Sequence, residues 1–398
     1  MDKNMTLEEL DKKYVLQTYA RDYTNFVKGV GSTLYDESGR DYIDFASGIA
    51  VNSVGHGNEK LVSAICEQVK KIIHISNLQV IEPQAKLAQK IVELSGYDMG
   101  VFFANSGAEA NEGAIKIARK YGETKFENKR YKVITLEHSF HGRTITTVKA
   151  TGQESFHTPH FSPYPAGFSY EKSIEDVYKA IDDETVAVLI ELVQGEGGVQ
   201  PFEKEEIQKL AAHLKENGVL LIVDEVQTGV YRTGEFLASN LYEIEPDIIT
   251  LAKGLGGGVP IGAVMTRHKD VFAPGDHGST FGGNYLSTAA GLAVLDILSE
   301  LYDNGVLHET LLYFEQKLKE TASKYDTLFD KEVGLGMMRG LRAKSAEIQG
   351  NIIKNCMKEG LVILKAGRNT VRFLPSLTIR KDEIDEGFKR FEAAISTL

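Results

Sequence analysis

The 398-residue sequence has no tryptophan and only two cysteines, Cys66 and Cys356. Two isolated cysteines exclude a disulfide framework and a thiolate zinc site, and they favour a reducing compartment, so a cytoplasmic protein is expected. No apolar run approaches the roughly 18 residues of a membrane span. The charged start, MDKNMTLEELDKKYV, does not resemble a signal peptide. Neither a membrane location nor a membrane partner is therefore expected.

Basic residues are outnumbered, with 45 lysines and arginines against 56 acidic residues and a net charge of −11. Because no basic block is present, nucleic acid and anionic membrane surfaces are poor candidate partners. Proline is scarce, at nine residues, whereas glycine reaches 38. That is close to a tenth of the chain, where about 7% is usual. The excess indicates sharp turns or close approaches of the backbone.

Apolar, β-branched runs alternate with helical patterns in the middle of the chain, which predicts βαβ units and a largely parallel, buried sheet. The predicted strands are Val101–Ala104, Lys132–Leu136, Val186–Val193, Val219–Val223, Asp247–Leu251 and Ile261–Thr266. Residues 30–45 predict a hairpin around the turn Glu37-Ser38-Gly39. Helical patterns run from about 287 to 325, ahead of a mixed segment that ends at Leu398.

The order of these patterns predicts an α/β fold with two domains. A large domain with a mostly parallel sheet is expected over residues 50–290. The N-terminal segment 1–49 and the C-terminal residues 291–398 are expected to form a smaller α+β domain. Ligands of such sheets bind beyond the carboxyl ends of the strands, so functional residues are expected there.

The first candidate site is a strand that runs directly into a helix, in the segment VFFANSGAEAN at residues 101–111. Ser106 and Glu109 have the S-x-x-E spacing of a capping box. A helix that starts at a small-residue turn offers free backbone N–H groups and the positive end of its dipole, which suits a phosphate. On this segment alone, an ordinary capped helix is an equally good interpretation.

The second candidate is Asp224, which ends the apolar strand in GVLLIVDEVQ. A carboxylate buried there needs a cationic partner, and the protonated ring nitrogen of a cofactor is one. Gln227, three residues on, could donate a hydrogen bond to a ring oxygen. The alternative is that Asp224 caps the following turn.

The third candidate is Lys253, which ends another apolar strand and precedes four glycines within five residues. A lysine in a desolvated setting loses its proton more readily and can act as a Schiff-base nucleophile. Lysines at strand ends are also common surface groups. The glycine run is a weak dinucleotide signal, because Val259 occupies the last glycine position of GxGxxG.

The fourth candidate is Arg143, in the segment EHSFHGR after the second predicted strand. An arginine at a strand end suits bidentate binding of a substrate carboxylate, although a surface salt bridge is an equal alternative. Four nearby histidines match no metal-ligand spacing, so no metal site is predicted. They are His138, His141, His157 and His160.

A phosphate site, an acid for a ring nitrogen, a lysine nucleophile and an arginine for a carboxylate together meet the requirements of pyridoxal phosphate chemistry. The chain resembles the class III aminotransferases of the fold-type I pyridoxal-phosphate enzymes, and among them the acetylornithine aminotransferases. The resemblance is carried by YDESGRDYIDFASGIAVNSVGHG, FFANSGAEANEGAIKIARKYG, SFHGRT, ATGQ, QGEGGV, DEVQTG, RTG, LAKGLGGGVPIGAV, GDHGSTFGGN and VRFLPSLT. It covers nearly the whole chain.

The resemblance implies a cofactor, pyridoxal 5'-phosphate, and roles for the residues around it. Lys253 is expected to bind it covalently and then to shuttle a proton, while Asp224 keeps the ring nitrogen protonated. The other cofactor-binding residues implied are Ser106, Gly107 and Ala108 in the phosphate turn, Gln227 at the ring oxygen, Phe140 on the ring face and Thr280 from the neighbouring subunit. A homodimer with sites at the subunit interface is thus expected.

The resemblance also implies residues for two alternating substrates. Arg143 is expected to bind the α-carboxylate of acetylornithine and the distal carboxylate of glutamate. Arg372 is expected to bind the α-carboxylate of glutamate, with Glu196 pairing with Arg372 when glutamate is absent. Tyr19 and Ser279 align with positions of the substrate pocket.

The implied reaction is transfer of an amino group from N2-acetyl-L-ornithine to 2-oxoglutarate, in arginine biosynthesis. Succinylornithine, ornithine and 4-aminobutyrate are alternative donors, although Ile49 stands where ornithine aminotransferases carry a tyrosine. A non-catalytic binding protein that keeps the fold is the alternative outside catalysis. The sequence departs from the family pattern, without touching the catalytic set, at Asn58, Leu192, Tyr231 and Tyr285.

Overall fold

A computed structural model describes residues 5–127, 129–396 and 398. The first four residues of the predicted N-terminal segment therefore lie outside the described residues. The helices are α1 (Leu7–Tyr14), α2 (Ser47–Ala50), α3 (Glu59–Lys71), α4 (Glu82–Ser95), α5 (Gly107–Lys125), α6 (Ile145–Ala150), α7 (Ile174–Ala180), α8 (Lys204–Glu216), α9 (Ala238–Leu241), α10 (Tyr285–Asp303), α11 (Val306–Lys324), α12 (Ala346–Lys358) and α13 (Lys381–Ile395).

The strands belong to one large sheet and three smaller ones. They are β1 (Phe26–Val30), β2 (Thr33–Asp36), β3 (Asp41–Asp44), β4 (Gly100–Ala104), β5 (Lys132–Leu136), β6 (Phe168–Glu171), β7 (Thr185–Ile190), β8 (Val193–Gln194), β9 (Gln200–Pro201), β10 (Leu220–Asp224), β11 (Ile248–Leu251), β12 (Gly262–Thr266), β13 (Phe329–Leu335), β14 (Met338–Ala343), β15 (Leu361–Val362), β16 (Leu364–Ala366) and β17 (Thr370–Phe373).

The large sheet has seven strands in the order β4-β12-β11-β10-β7-β5-β6. Only β12 runs antiparallel to its neighbours, β4 and β11, so the prediction of a largely parallel sheet is confirmed. Every residue of β7 is buried, as expected for a strand covered on both faces. This sheet places β4, β10 and β11, which precede three of the candidate sites, close together.

Two details of the predicted sheet were wrong. The strand predicted over Val186–Val193 ends at Ile190, because the chain bends at Leu192 and the next residues form β8, which pairs antiparallel with β9. Strand β6 was missed at the sheet edge. Its four residues, FSYE, alternate aromatic and polar side chains, but the run is short and all four are only half-buried.

Helix α5 follows β4 and packs across the sheet through its small and aliphatic residues. The predicted buried stripe is present at Ala110, Ala114, Ile117 and Ala118. Gly122, one turn further on, allows the closest approach, since a Cβ there would lie 2.0 Å from the carbonyl oxygen of Arg130. Because only Asn105 and Ser106 separate β4 from α5, the N-terminus of the helix lies at the carboxyl end of the strand.

The smaller sheets combine both ends of the chain. The predicted hairpin is present as β2 and β3, to which β1 adds on one side. On the other side β15, from the last forty residues, pairs parallel with β3. A further sheet has the order β13-β14-β17-β16 and carries Arg372 on β17. In the described part of the chain, no helix is long and apolar enough to cross a membrane.

Candidate active site

A cavity of about 380 Å³ opens at the carboxyl ends of the central strands. Its wall includes predicted site residues from four separate chain segments, namely Ser106, Gly107, Ala108, Phe140, Arg143, Asp224, Gln227 and Lys253. Residues that the sequence did not assign to this site also line it, among them Val51, Asn111, His141, Glu191 and Ile261. The fold thus brings the candidates of the sheet into one site.

The N-terminus of α5 forms one end of the cavity. Ser106 caps the helix by accepting a hydrogen bond from the Glu109 N–H at 3.2 Å. The carboxylate of Glu109 bonds to the backbone and side chain of Asn105 instead of the Ser106 N–H, so the predicted capping box is only half formed. A Cβ at Gly107 would lie 2.7 Å from Val226 Cγ1, which accounts for the glycine. A 19-residue helix that begins at a cavity suits an anion.

Asp224 lies at the end of β10 and is only 4% exposed. Its Oδ2 accepts a hydrogen bond from Asn111 Nδ2 and lies 2.8 Å from His141 Nδ1, while its Oδ1 accepts from the Val226 N–H at 3.0 Å. Asn111 is fixed in turn by the Thr250 hydroxyl, which donates to its Oδ1 at 2.8 Å. Both oxygens of the Asp224 carboxylate are thus held in place, which fixes its orientation.

Asn111 and His141 are functional candidates that the sequence reasoning missed. Asn111 is a polar residue inside the buried alanine stripe of α5, and that position was the available signal. His141 was considered only as a metal ligand. Its Nε2 atom is buried and has no hydrogen-bond partner within the described residues.

Lys253 begins a short 3-10 turn two residues after the end of β11, and its backbone has a positive φ of 43°. A non-glycine residue in this region carries strain, which is typical of functional positions. Ser53 fixes the turn, because its hydroxyl donates a hydrogen bond to the Gly254 carbonyl oxygen at 2.7 Å. Burial, aided by the positive charge of Arg372, lowers the pKa of Lys253 to about 8, although nearby acids oppose the shift.

This pKa predicts how the cofactor-free protein should react with an aldehyde such as pyridoxal 5'-phosphate. Only the neutral amine is nucleophilic, so the rate of covalent capture should rise about tenfold per pH unit below pH 8 and level off above it. Stopped-flow absorbance between pH 6 and 10 measures this rate. A rate that keeps rising to pH 10 would mean that Lys253 has the pKa of an exposed lysine.

Arg372 and Glu196 form a bidentate ion pair, although neither lines the cavity wall directly. Arg372 Nη1 lies 2.7 Å from Glu196 Oε1, and Nη2 lies 3.3 Å from Oε2. Despite its burial, the charge and hydrogen bonds of Arg372 lower the pKa of Glu196, and Lys253 adds to this. Gln227 bridges the pair to the cavity, since its Oε1 accepts from Arg372 Nη1 at 3.4 Å.

Arg143 is exposed and lines the cavity. Its guanidinium carbon lies 3.9 Å from the ring centroid of Phe156 and 5.5 Å from that of Phe140, so two aromatic rings hold it by cation–π contacts. No carboxylate pairs with Arg143 within residues 5–127, 129–396 and 398. Its charge is therefore available to a ligand, and the surface salt bridge considered from the sequence is absent there.

Besides Glu196 and Arg372, three predicted residues do not line the cavity in a single chain. Thr280 is exposed, and Tyr19 is 72% exposed with Arg21 stacked on its ring. Ser279 lies one contact away, since its hydroxyl accepts from Nδ2 of the cavity residue Asn105 at 3.1 Å. The roles of these three residues stay predictions.

The four departures from the family pattern are accommodated locally. Asn58 caps α3, Tyr285 is the first residue of α10, and Leu192 is fully buried. Tyr231 has a positive φ of 65°, and its hydroxyl lies 3.1 Å from that of Ser299. None of these side chains lines the cavity.

The residues of the cavity fit pyridoxal 5'-phosphate. Helix α5 offers its N-terminus to a phosphate, Asp224 offers a fixed carboxylate to a ring nitrogen, and Lys253 offers an amine with a lowered pKa. The half-buried ring of Phe140 forms part of the same wall and can cover a flat ring.

The comparisons with known proteins all identify aminotransferases as similar to this chain. The family profile "Aminotransferase class-III" matches residues 17–395. An acetylornithine aminotransferase of Wolinella succinogenes is 63% identical over 389 residues, which are 98% of this chain and 99% of that protein. The acetylornithine aminotransferase of Caldanaerobacter subterraneus is 45% identical over 98% of both chains.

Solved structures give the same result. The N-acetylornithine aminotransferase of Stenotrophomonas maltophilia superposes with a TM-score of 0.83 at 32% identity, covering 98% of this chain and 99% of that one. An ornithine aminotransferase of Toxoplasma gondii, described with partial occupancy of PLP at its active site, superposes with a TM-score of 0.91 at 30% identity. The superposition covers 99% of this chain and 96% of the Toxoplasma gondii chain.

Proposed function

This chain belongs to the class-III aminotransferases, and we propose that it transfers the terminal amino group of N2-acetyl-L-ornithine to 2-oxoglutarate. The products are N-acetylglutamate 5-semialdehyde and L-glutamate, in a step of arginine biosynthesis. The observation that carries the proposal is the meeting of Lys253, Asp224 and Arg143 around one cavity, in a chain 63% identical to an acetylornithine aminotransferase.

Pyridoxal 5'-phosphate, when bound, supplies an aldehyde carbon for the amino group and a ring that takes up electrons. Lys253 provides the amine that holds this group in place of substrate. Once substrate has displaced it, Nζ is a base within the cavity, and its pKa of about 8 allows it to take a proton and return it near neutral pH.

Asp224 holds a proton on the ring nitrogen. Because Asn111, His141 and the Val226 N–H orient its carboxylate, the negative charge is fixed where that nitrogen is expected. Phe140, Gly107 and Val226 line the same cavity with apolar side chains or backbone. This lowers the local dielectric constant and strengthens the attraction between the Asp224 carboxylate and a protonated ring nitrogen.

Arg143 and Arg372 bind substrate carboxylates. Arg372 can do so only when its ion pair with Glu196 is broken. Acetylornithine carries one free carboxylate, which Arg143 binds while Glu196 neutralises Arg372. Glutamate carries two, so its α-carboxylate must replace Glu196 on Arg372. A buried arginine without any anion would be costly, and Glu196 removes that cost between the two half-reactions.

The test is a donor panel with 2-oxoglutarate as acceptor: N-acetylornithine, N-succinylornithine, ornithine and 4-aminobutyrate. We expect the highest kcat/KM for acetylornithine, measured by coupled detection of glutamate. A higher kcat/KM for ornithine or 4-aminobutyrate would contradict the proposal. Ile49 is 40% exposed in a left-handed turn two residues before the cavity residue Val51, which leaves no hydroxyl there to orient a free amino acid.

We also propose that two copies of the chain form a homodimer. Leu78 and Val80 are 90% and 87% exposed, and Phe281 is 60% exposed. They form one apolar surface, because Asn77 donates to the carbonyl oxygen of Ser279 at 3.0 Å. Thr280 lies on this surface, which agrees with its expected reach into a neighbouring site.

Leu78→Asp should convert the dimer to monomer and reduce activity more than tenfold, since a buried unpaired charge is unfavourable at an interface. Light scattering after size exclusion measures the mass. Leu312→Asp is the matched control, because Leu312 is 54% exposed on α11. A Leu78→Asp protein that remains dimeric would place the interface elsewhere.

The free thiols of Cys66 and Cys356 support a reducing, cytoplasmic location as part of the proposal.

A further inference from the structure

Glu191 is a buried acid of the cavity wall for which the proposed reaction provides no role. It follows β7 directly, is 4% exposed and lies where the chain bends away from the sheet. Burial, with the neighbouring carboxylate of Asp224, raises the pKa of Glu191 well above its usual range. No lysine or arginine pairs with it among the described residues. The free-energy cost of burying this carboxyl group has to be offset by the hydrogen bonds that it accepts.

What Glu191 binds is the backbone of two loops. Its Oε2 accepts a hydrogen bond from the Phe140 N–H at 2.9 Å, and its Oε1 accepts from the Gly195 N–H at 3.3 Å. These contacts involve no substrate position. They join chain segments that are more than fifty residues apart in the sequence.

The first loop carries the carboxylate-binding Arg143, and the second carries Glu196, the ion-pair partner of the other carboxylate-binding group, Arg372 on β17. The first loop continues from Phe140 to Arg143, and the second continues from Gly195 to Glu196, which pairs with Arg372. Gly195 is also packed against Gln227, since a Cβ there would lie 2.5 Å from Gln227 Oε1. A shift of either loop would therefore move Arg143 relative to the Glu196–Arg372 pair.

We propose that Glu191 is a positioning residue that sets the separation between Arg143 and the Glu196–Arg372 pair, and thereby the length of the dicarboxylate that the site accepts. The inference rests on the proposed function, because it takes both arginines as carboxylate-binding groups. It predicts an effect on ligands that span both groups and little effect on ligands that use one.

Glu191→Gln tests this with almost no change in volume. Both oxygens of a carboxyl group can accept a hydrogen bond, whereas an amide has one acceptor oxygen and an NH2 donor. Whichever way the amide turns, it opposes one of the two backbone N–H groups. Glu191→Asp keeps the carboxyl group but shortens the reach by one methylene, so it too should release a loop.

Glu383→Gln is the matched control. Glu383 is a buried carboxylate that also accepts from two backbone N–H groups, those of Ser32 at 2.8 Å and Arg380 at 3.0 Å. It lies on α13, outside the cavity wall. The control should lose thermal stability without any change in ligand binding.

The measurement is equilibrium binding of glutarate and of acetate to the cofactor-loaded proteins, followed by visible absorbance and circular dichroism. For Glu191→Gln we expect glutarate to bind about tenfold more weakly, acetate to change less than threefold, and the dichroism of the bound cofactor to change. If this variant does not fold, Glu191→Asp provides the same measurement.

Unchanged glutarate binding in a folded variant, with stability lowered as in Glu383→Gln, would overturn the inference. It would leave Glu191 with a purely structural role. Because the readout is binding, it does not depend on acetylornithine being the donor. A protein that prefers another donor would contradict the proposed function and leave this test intact.

Discussion

Lys253→Ala is expected to abolish transamination, with a fall in kcat of more than about 10⁴-fold. General acid–base catalysis alone contributes about 10²–10⁴-fold, and this substitution also removes the amine that holds the cofactor. The variant should still bind pyridoxal 5'-phosphate non-covalently, because the N-terminus of α5 and the carboxylate of Asp224 are untouched. Single-turnover kinetics and equilibrium dialysis measure the two effects separately.

Lys253→Arg separates the positive charge from the reactive amine. It retains a cation beside Glu196 but cannot release a proton, so it should be as inactive as the alanine variant. Substantial turnover by either variant would be incompatible with Lys253 as the proton carrier. Lys90→Ala, which breaks a surface ion pair with Asp296, should keep wild-type kinetics.

Asp224→Asn is expected to have the second largest effect, a fall in kcat of about 10³-fold, or about 4 kcal/mol in the activation barrier. The substitution removes the negative charge opposite the ring nitrogen. It also places an NH2 group opposite a donor in either orientation, Asn111 Nδ2 at the Oδ2 position or the Val226 N–H at the Oδ1 position. Covalent attachment at Lys253 should persist, since that amine remains.

The kinetics of Asp224→Asn are compared with those of Asp247→Asn. Asp247 immediately precedes the neighbouring strand β11 and accepts a hydrogen bond from the Leu221 N–H at 2.9 Å, at the opposite end of the sheet. The control should lose some stability and keep its kcat. If Asp224→Asn turned over at the wild-type rate, another group would have to hold the ring proton.

The sequence predicted those parts of the site that depend on strand ends. Lys253 and Asp224 were identifiable because each terminates an apolar run, and runs of this kind pack side by side in one buried sheet. The motifs then identified the family, which the comparisons show. The polar contacts around Asp224 could not be predicted, because Asn111 and Thr250 are separated by 139 positions and meet only through the packing of α5 on the sheet.

Bends in the backbone were the second kind of feature that the sequence did not reveal. The run from Val186 to Val193 is apolar except at Glu191, so its pattern predicts an unbroken strand. The strand ends at Ile190, and the next residue, Glu191, accepts from the N–H of Gly195, four residues on, and from that of Phe140, 51 residues earlier. Local patterns contain no information about a partner as distant as Phe140.

The pairing of β15 with β3 has a consequence for the order in which the molecule assembles during synthesis. The seven strands of the large sheet, with Asp224 and Lys253, all leave the ribosome before residue 270. The sheet of β1, β2 and β3 must wait for Leu361 before it gains its fourth strand, and Glu196 must wait for Arg372. A nascent chain is therefore expected to build its phosphate-binding end first and its dicarboxylate selectivity last.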